Sequence, residues 1–344
     1  MTRLVRSSGW LALVLLASLA WAQAPAQAPA ADAPAAPVAT PAAADWPPAD
    51  DATYTTYTQA FDYDTTLPLN ATIVSDEDQA GTRVQLIEYD SAQGGRVPGY
   101  LLVPPAAGKR PVILLANGLG SSKSMILELA PYLATFGLEF AVFCIDAPEH
   151  GPRGEGGGTQ FFSLDLERTR RNIVQGVDDY RRALDYIATR DDLDAERVCL
   201  AGASLGAILG TMVTALEPAR IKTAILAVGG ADYGKIIADS QHPAIAALRE
   251  YAQAALGSAN PFDLPELRAQ ADPLDPLHYA PRLGDRPILV LGAQDDEVIP
   301  HSAGQRLAEL AVGSPKVVEW YPGGHMLAPD LVLPRLLSWL NEYL

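Results

Sequence analysis

Gly202-Ala203-Ser204-Leu205-Gly206 constrains this chain more than any other stretch. It follows the apolar run Val198-Cys199-Leu200 and opens onto Ala207-Ile208-Leu209. A strand running into a helix through G-x-S-x-G is a nucleophile elbow. The turn is too tight for side chains at its flanks, so both positions are Gly. Ser204 is thereby lifted out of the sheet, where an incoming carbonyl can reach its hydroxyl. The helix behind it begins at the reacting centre, and its dipole favours negative charge developing there.

The elbow needs a domain around it, and the 344 residues, 49% apolar, supply a large core. The N-terminus reads as something else. Arg3 and Arg6 precede an apolar stretch from Trp10 to Ala20, and Ala20-Trp21-Ala22 has the small-x-small form of a cleavage site. This is the pattern of a secretory signal peptide cut after Ala22, short for a bilayer span. No stable membrane insertion is expected after cleavage, and the mature protein is expected to be secreted or periplasmic. From Gln23 to about Asp50 the chain is mostly Ala and Pro, which reads as a disordered tether. Residues 51–344 are expected to form one domain.

The net charge is −16, and the leader holds two Arg and no acid, so its removal leaves −18. No Lys/Arg run appears, which argues against a nucleic-acid partner. The two cysteines, Cys144 and Cys199, fall in separate buried runs. With a third strand between them they lie about 10 Å apart, too far for a disulfide, so two free thiols are expected.

Thr82–Asp90 and Val97–Val103 read as two strands joined through Gln93-Gly94-Gly95. Pro111–Ala116 and Phe140–Ile145 are continuous apolar runs, as strands buried on both faces require. Lys123–Phe136 between them reads as a helix. Arg170–Arg190 is amphipathic: Ile173, Val177, Leu184 and Ile187 share one face, with Asp178, Arg181, Arg182 and Asp185 elsewhere. Strands follow at Arg197–Leu200, Thr223–Val228, Pro287–Leu291 and Val317–Trp320, and Leu331–Leu344 reads as a closing helix. A hairpin followed by alternating strands and helices gives an α/β sheet of about eight strands, mostly parallel with an antiparallel edge. Residues 231–285 show no strand and are broken by prolines, as in a helical cap.

A serine hydroxyl needs a base, an orienting acid and an oxyanion site. Of the five histidines, at 150, 242, 278, 301 and 325, His325 follows Tyr321-Pro322-Gly323-Gly324, between the last strand and the last helix. A loop there can bring an imidazole over a nucleophile at the sheet's C-terminal edge. The acid lies after the Pro287–Leu291 strand, where Asp295 and Asp296 compete. The oxyanion donors are expected to be backbone N–H groups, one from Leu205 and one from Asn117-Gly118-Leu119-Gly120, at Leu119.

These residues, with Asp146-Ala147-Pro148-Glu149-His150-Gly151, Asp296-Glu297-Val298-Ile299-Pro300 and Gly323-Gly324-His325, resemble serine hydrolases of the α/β-hydrolase superfamily. The likeness is to its dienelactone-hydrolase-like, prolyl-oligopeptidase-like and acetylxylan-esterase-like bacterial branch, over Thr82 to Leu344. It implies an α/β-hydrolase fold, a Ser204–Asp296–His325 triad, no cofactor and no metal. The D-x-V-x-P tail of the acid loop favours Asp296, with Asp295 as the alternative. Where the family often has His-Gly in the oxyanion loop, this chain has Asn117-Gly118, and the Asn is expected to hydrogen-bond in its place. The resemblance implies cleavage of a small-molecule carboxylic ester through an acyl-enzyme. A prolyl-oligopeptidase-type peptidase is the alternative, and a catalytically silent binding protein on the same fold comes third.

His150 with Asp146 and Glu149 matches no zinc-helix spacing, and the resemblance gives that His a structural role. Gly154-Glu155-Gly156-Gly157-Gly158 lacks the Gly-Lys-Ser/Thr of a phosphate cradle and reads as a mobile loop near the site. Asp76-Glu77-Asp78 reads as a solvated turn.

Overall fold

A computed structural model describes residues 46–163 and 165–344. The expected leader and residues 23–45 of the expected tether lie outside the described residues. Among the described residues nine strands form one sheet: β1 (Thr72–Gln79), β2 (Thr82–Asp90), β3 (Arg96–Val103), β4 (Arg110–Ala116), β5 (Ala141–Ile145), β6 (Leu193–Ala203), β7 (Thr223–Ala227), β8 (Ile288–Ala293) and β9 (Lys316–Tyr321). Their order is β1-β2-β3-β5-β4-β6-β7-β8-β9. The pairs β1–β2, β2–β3 and β3–β5 are antiparallel, and the rest are parallel. β4 lies between the strands of Cys144 and Cys199, and both thiols are free and buried.

The helices are α1 (Asp51–Thr58), α2 (Ala130–Thr135), α3 (Leu166–Ala188), α4 (Leu205–Leu216), α5 (Tyr233–Asp239), α6 (Pro243–Leu256), α7 (Pro265–Ala271), α8 (His301–Leu310) and α9 (Pro329–Tyr343). Side chains of β4 alternate between two cores, as the strand period of two dictates. Val112, Leu114 and Ala116 face the core shared with α3, α4 and α8. Ile113 and Leu115 face the core shared with α2 and α9. None of the described helices is long and apolar enough to cross a membrane.

The sheet has the expected mostly parallel form, and β1 adds a ninth strand to the eight read from the sequence. Asp76-Glu77-Asp78 is not a turn: these residues lie in β1, opposite Gln85, Val84 and Arg83. β1 is an exposed edge without apolar alternation, and Asp76 pairs with Arg83 Nε at 2.8 Å. Charge on an edge strand discourages pairing with another chain and erases the usual strand signal. The segment expected as one helix over residues 123–136 is a 3-10 helix, Lys123–Leu129, followed by α2. Lys123 N–H donates to Asp146 Oδ1 at 2.7 Å, and Pro131 has no N–H to continue an α-helical ladder.

α3 begins earlier than its apolar pattern suggests, because Asp165 caps it by accepting from Glu167 and Arg168 N–H. Its polar face is also covered. Asp178, Asp179 and Arg182 are buried, and Arg182 donates to the carbonyls of Asp90, Leu67 and Pro68. Burial pushes the Asp178 carboxyl up to about 7, against the pull of Gln93 and Arg181. The unfolded chain ionises this group near the ordinary carboxylate value. The native state therefore holds an extra proton between about pH 4 and pH 7, and stability falls as pH rises through that window. Asp178→Asn keeps an acceptor for Gln93 and is expected to melt above the wild type at pH 8, with little gain at pH 4; thermal unfolding at the two pH values checks this.

Residues 231–285 hold α5, α6, α7 and short 3-10 turns between β7 and β8. The insertion is tied to the loop after β8: Gln241 N–H donates to Glu297 O at 2.7 Å, and Ser240 Oγ to Val298 O at 2.8 Å. On its other side lies the N-terminal segment. The Trp46 ring sits 3.8 Å from the Arg268 guanidinium and edge-on to Phe262, and its carbonyl accepts from Arg306 at 2.7 Å. Ala49 N–H donates to His278 Nδ1 at 2.9 Å, and Ala49 O accepts from Arg282. The last residues of the expected tether are thus packed on the domain.

Candidate active site

β6 ends at Ala203 and α4 begins at Leu205, leaving Ser204 alone in the turn with φ +55° and ψ −121°. Positive φ costs a non-glycine residue energy and persists only where surrounding structure enforces it. Here Ser204 N–H is held by Ala227 O at 2.9 Å, and Ser204 O accepts from Ala207 and Ile208 N–H. The hydroxyl stands at the C-terminal edge of the parallel strands.

His325 comes from the loop between β9 and α9, and its Nε2 lies 2.9 Å from Ser204 Oγ. Its Nδ1 lies 3.0 and 2.8 Å from Asp296 Oδ1 and Oδ2. A carboxylate only accepts, so Nδ1 carries the hydrogen and the Nε2 lone pair faces the serine hydroxyl. Asp296 Oδ1 also accepts from Val298 N–H at 2.9 Å and Ile299 N–H at 3.0 Å, which fixes the carboxylate plane. The His325 and Asp296 side chains are nearly buried, at 8% and 4% exposure, so water does little to screen the pair.

Asp295, the alternative acid, is exposed and does not reach the imidazole. Its N–H donates to Gly323 O at 3.0 Å and its Oδ2 receives a long 3.4 Å contact from Gly323 N–H. It braces the histidine loop through the backbone. The two aspartates are adjacent, so the backbone turns their side chains to different sides.

Leu119 and Leu205 bring two backbone N–H groups to this edge, and among the described residues no acceptor takes either. Asn117 is fully buried, and its Oδ1 accepts from Tyr180 Oη at 2.9 Å. The Asn therefore pins the loop to α3 rather than bonding within the loop. The 146–151 loop is built the same way: Asp146 takes Lys123 Nζ at 2.8 Å, and Glu149 pairs with Arg168 at 2.8 Å. His242, His278 and His301 make structural contacts. His242 accepts from Ala244 N–H at the start of α6, and His301 packs 4.3 Å from Trp320. No group of three or more His, Cys, Asp or Glu among the described residues could hold a metal ion.

A nucleophile elbow on the central parallel strands, with a histidine after the last strand and an acid after the one before it, defines the α/β-hydrolase class. The Alpha/beta hydrolase family model matches residues 113–333, and the chain belongs to that family. Esterase YjfP of Escherichia coli (strain K12) is 26% identical over 266 residues, covering 75% of this chain and all of the relative. The acetyl xylan esterase from Paenibacillus sp. R4 superposes with TM-score 0.68 at 19% identity, over 86% of this chain and 94% of that one. Acetyl xylan esterase 1 from Thermoanaerobacterium sp. JW/SL YS485 gives 0.69 at 19%, over 87% and 95%. At that identity the two structures bear on the fold alone.

Proposed function

We propose that this chain is an exported serine hydrolase that cleaves carboxylic esters of small molecules through an acyl-enzyme. The observation that carries the reading is the continuous contact from Ser204 Oγ through His325 to Asp296, at 2.9 and 2.8 Å, beside two unclaimed N–H groups. The esterase relative, matched over its whole length, supports ester rather than amide chemistry.

In the proposed cycle, Ser204 Oγ attacks the acyl carbon as its proton passes to His325 Nε2. Asp296 stabilises the imidazolium that forms. The Leu119 and Leu205 N–H groups hold the oxyanion of the tetrahedral intermediate. On collapse the ester C–O bond breaks and Nε2 gives its proton to the departing alkoxide. Water then enters, loses a proton to the same nitrogen and attacks the acyl-enzyme, and the returning proton restores Ser204. Every step is served by these side chains and backbone groups, with no cofactor required. Residues 231–285 act as a cap over the acyl site, tied to the acid loop through Ser240 and Gln241.

A fluorophosphonate probe should label the wild type at Ser204 and leave Ser204→Ala unlabelled. That variant should lose about a millionfold in kcat on p-nitrophenyl esters. The intact mass of the labelled exported protein should place its N-terminus at Gln23. An unlabelled wild type would overturn the reading, and faster turnover of amide than ester reporters would make the protein a peptidase.

A further inference from the structure

His150 is fully buried on the loop after β5, yet it belongs to no part of the triad. Its Nδ1 lies 2.8 Å from Pro148 O. A carbonyl only accepts, so Nδ1 carries the hydrogen and Nε2 keeps a lone pair. That lone pair receives Gly120 N–H at 3.3 Å. Gly120 follows Leu119 in a turn closed by Ser121 N–H to Gly118 O at 3.2 Å, and its φ is +81°. Positive φ at the third residue marks a type II turn, which differs from type I by a flip of the central peptide, here Leu119–Gly120. Only one orientation of that peptide presents N–H to His150.

A second observation comes from the glycine-rich stretch. A Cβ on Gly158 would lie 2.4 Å from His150 Nε2 and 2.8 Å from Gly120 N. The stretch read from sequence as a mobile loop here closes directly over the imidazole–turn contact, and any side chain at 158 would wedge it open. The Phe161 ring packs edge-on to the imidazole at 5.8 Å.

We propose that His150 is a positioning residue whose neutral, Nδ1-protonated imidazole holds the turn carrying the Leu119 N–H in its oxyanion-binding conformation. The inference rests on the hydrolase reading above. The charged groups facing the ring are occupied elsewhere: Asp146 by Lys123, Glu149 by Arg168, and Arg153 by Asp179. Loss of water on burial lowers the imidazole's pKa below the ordinary histidine value, partly opposed by the Pro148 carbonyl and Asp146. The ring therefore stays neutral and its acceptor nitrogen available.

His150→Phe keeps a ring in the cavity without an acceptor, whereas His150→Gln offers an amide oxygen to Gly120 N–H. His150→Phe should lower kcat on a p-nitrophenyl ester about 10- to 100-fold with KM nearly unchanged, and His150→Gln should recover much of that loss. Imidazole 15N NMR of the wild type should show His150 as the Nδ1–H tautomer. An Nε2–H tautomer, a wild-type kcat in His150→Phe, or a loss confined to KM would overturn the proposal. If His150→Phe does not fold, the tautomer and the His150→Gln kinetics decide. Failure of the hydrolase reading looks different: the wild type itself would leave the fluorophosphonate unreacted while the tautomer stayed as described.

Discussion

Asp296→Asn is expected to lower kcat about ten-thousandfold, while Asp295→Asn stays within about threefold of the wild type. The reason lies in which oxygen the backbone already holds. Val298 and Ile299 N–H both donate to Asp296 Oδ1, so an Asn here keeps its oxygen in that place. Its NH2 group then falls at the Oδ2 position, 2.8 Å from His325 Nδ1. A donor there forces the imidazole hydrogen onto Nε2, where it faces Ser204 and can no longer accept the hydroxyl proton. Asp295 meets the histidine loop chiefly through its own N–H to Gly323 O, a bond that the substitution leaves intact. Steady-state kinetics of the two variants decide the matter, and the reverse ranking would exclude Asp296 as the orienting acid.

The other large effect is on stability. Gly206→Ala should cost at least about 3 kcal/mol and lower Tm by roughly 10 °C. A Cβ at this position would fall 1.9 Å from Ala116 O and 2.5 Å from its carbonyl carbon. Neither atom can withdraw, because β4 is hydrogen-bonded to β5 on one side and β6 on the other. Gly210→Ala provides the contrast. Its Cβ would meet Leu200 Cδ2 at 2.5 Å, the tip of a side chain that can rotate. Thermal unfolding should find it clearly the milder change, and equal losses would mean that the backbone contact at Ala116 is not what makes position 206 a glycine.

The parts of the site legible in the sequence are those that local geometry dictates. The elbow announces itself because a strand-to-helix turn needs small flanks, and His325 because so few histidines sit at a strand end. Between the adjacent Asp295 and Asp296 the sequence offers only the D-x-V-x-P tail, which favours Asp296; the turn that sends Val298 and Ile299 N–H to that carboxylate is visible only in the fold. β1 is not legible in the sequence, because an edge strand exposed on both faces lacks apolar alternation. The burial of Arg182 on the polar face of α3 is not legible locally, because the carbonyls that cover it come from Leu67, Pro68 and Asp90. His150 is legible as part of a motif, but its partner Gly120 is 30 residues away and is brought to it only by the fold.

The Trp46–Ala49 strap bears on the order in which this protein can be completed. Trp46 bonds to Asp232, 186 positions downstream, and to Arg306, 260 positions downstream. A chain made from its N-terminus must hold the Trp46 carbonyl in waiting until Arg306 has been made. The hairpins β1–β2 and β2–β3 can close early, because their partners are near in sequence. The insertion's outer clasp closes among the last contacts, using residues that were synthesised among the first of the folded domain. Completion of that clasp is thus coupled to synthesis through Arg306.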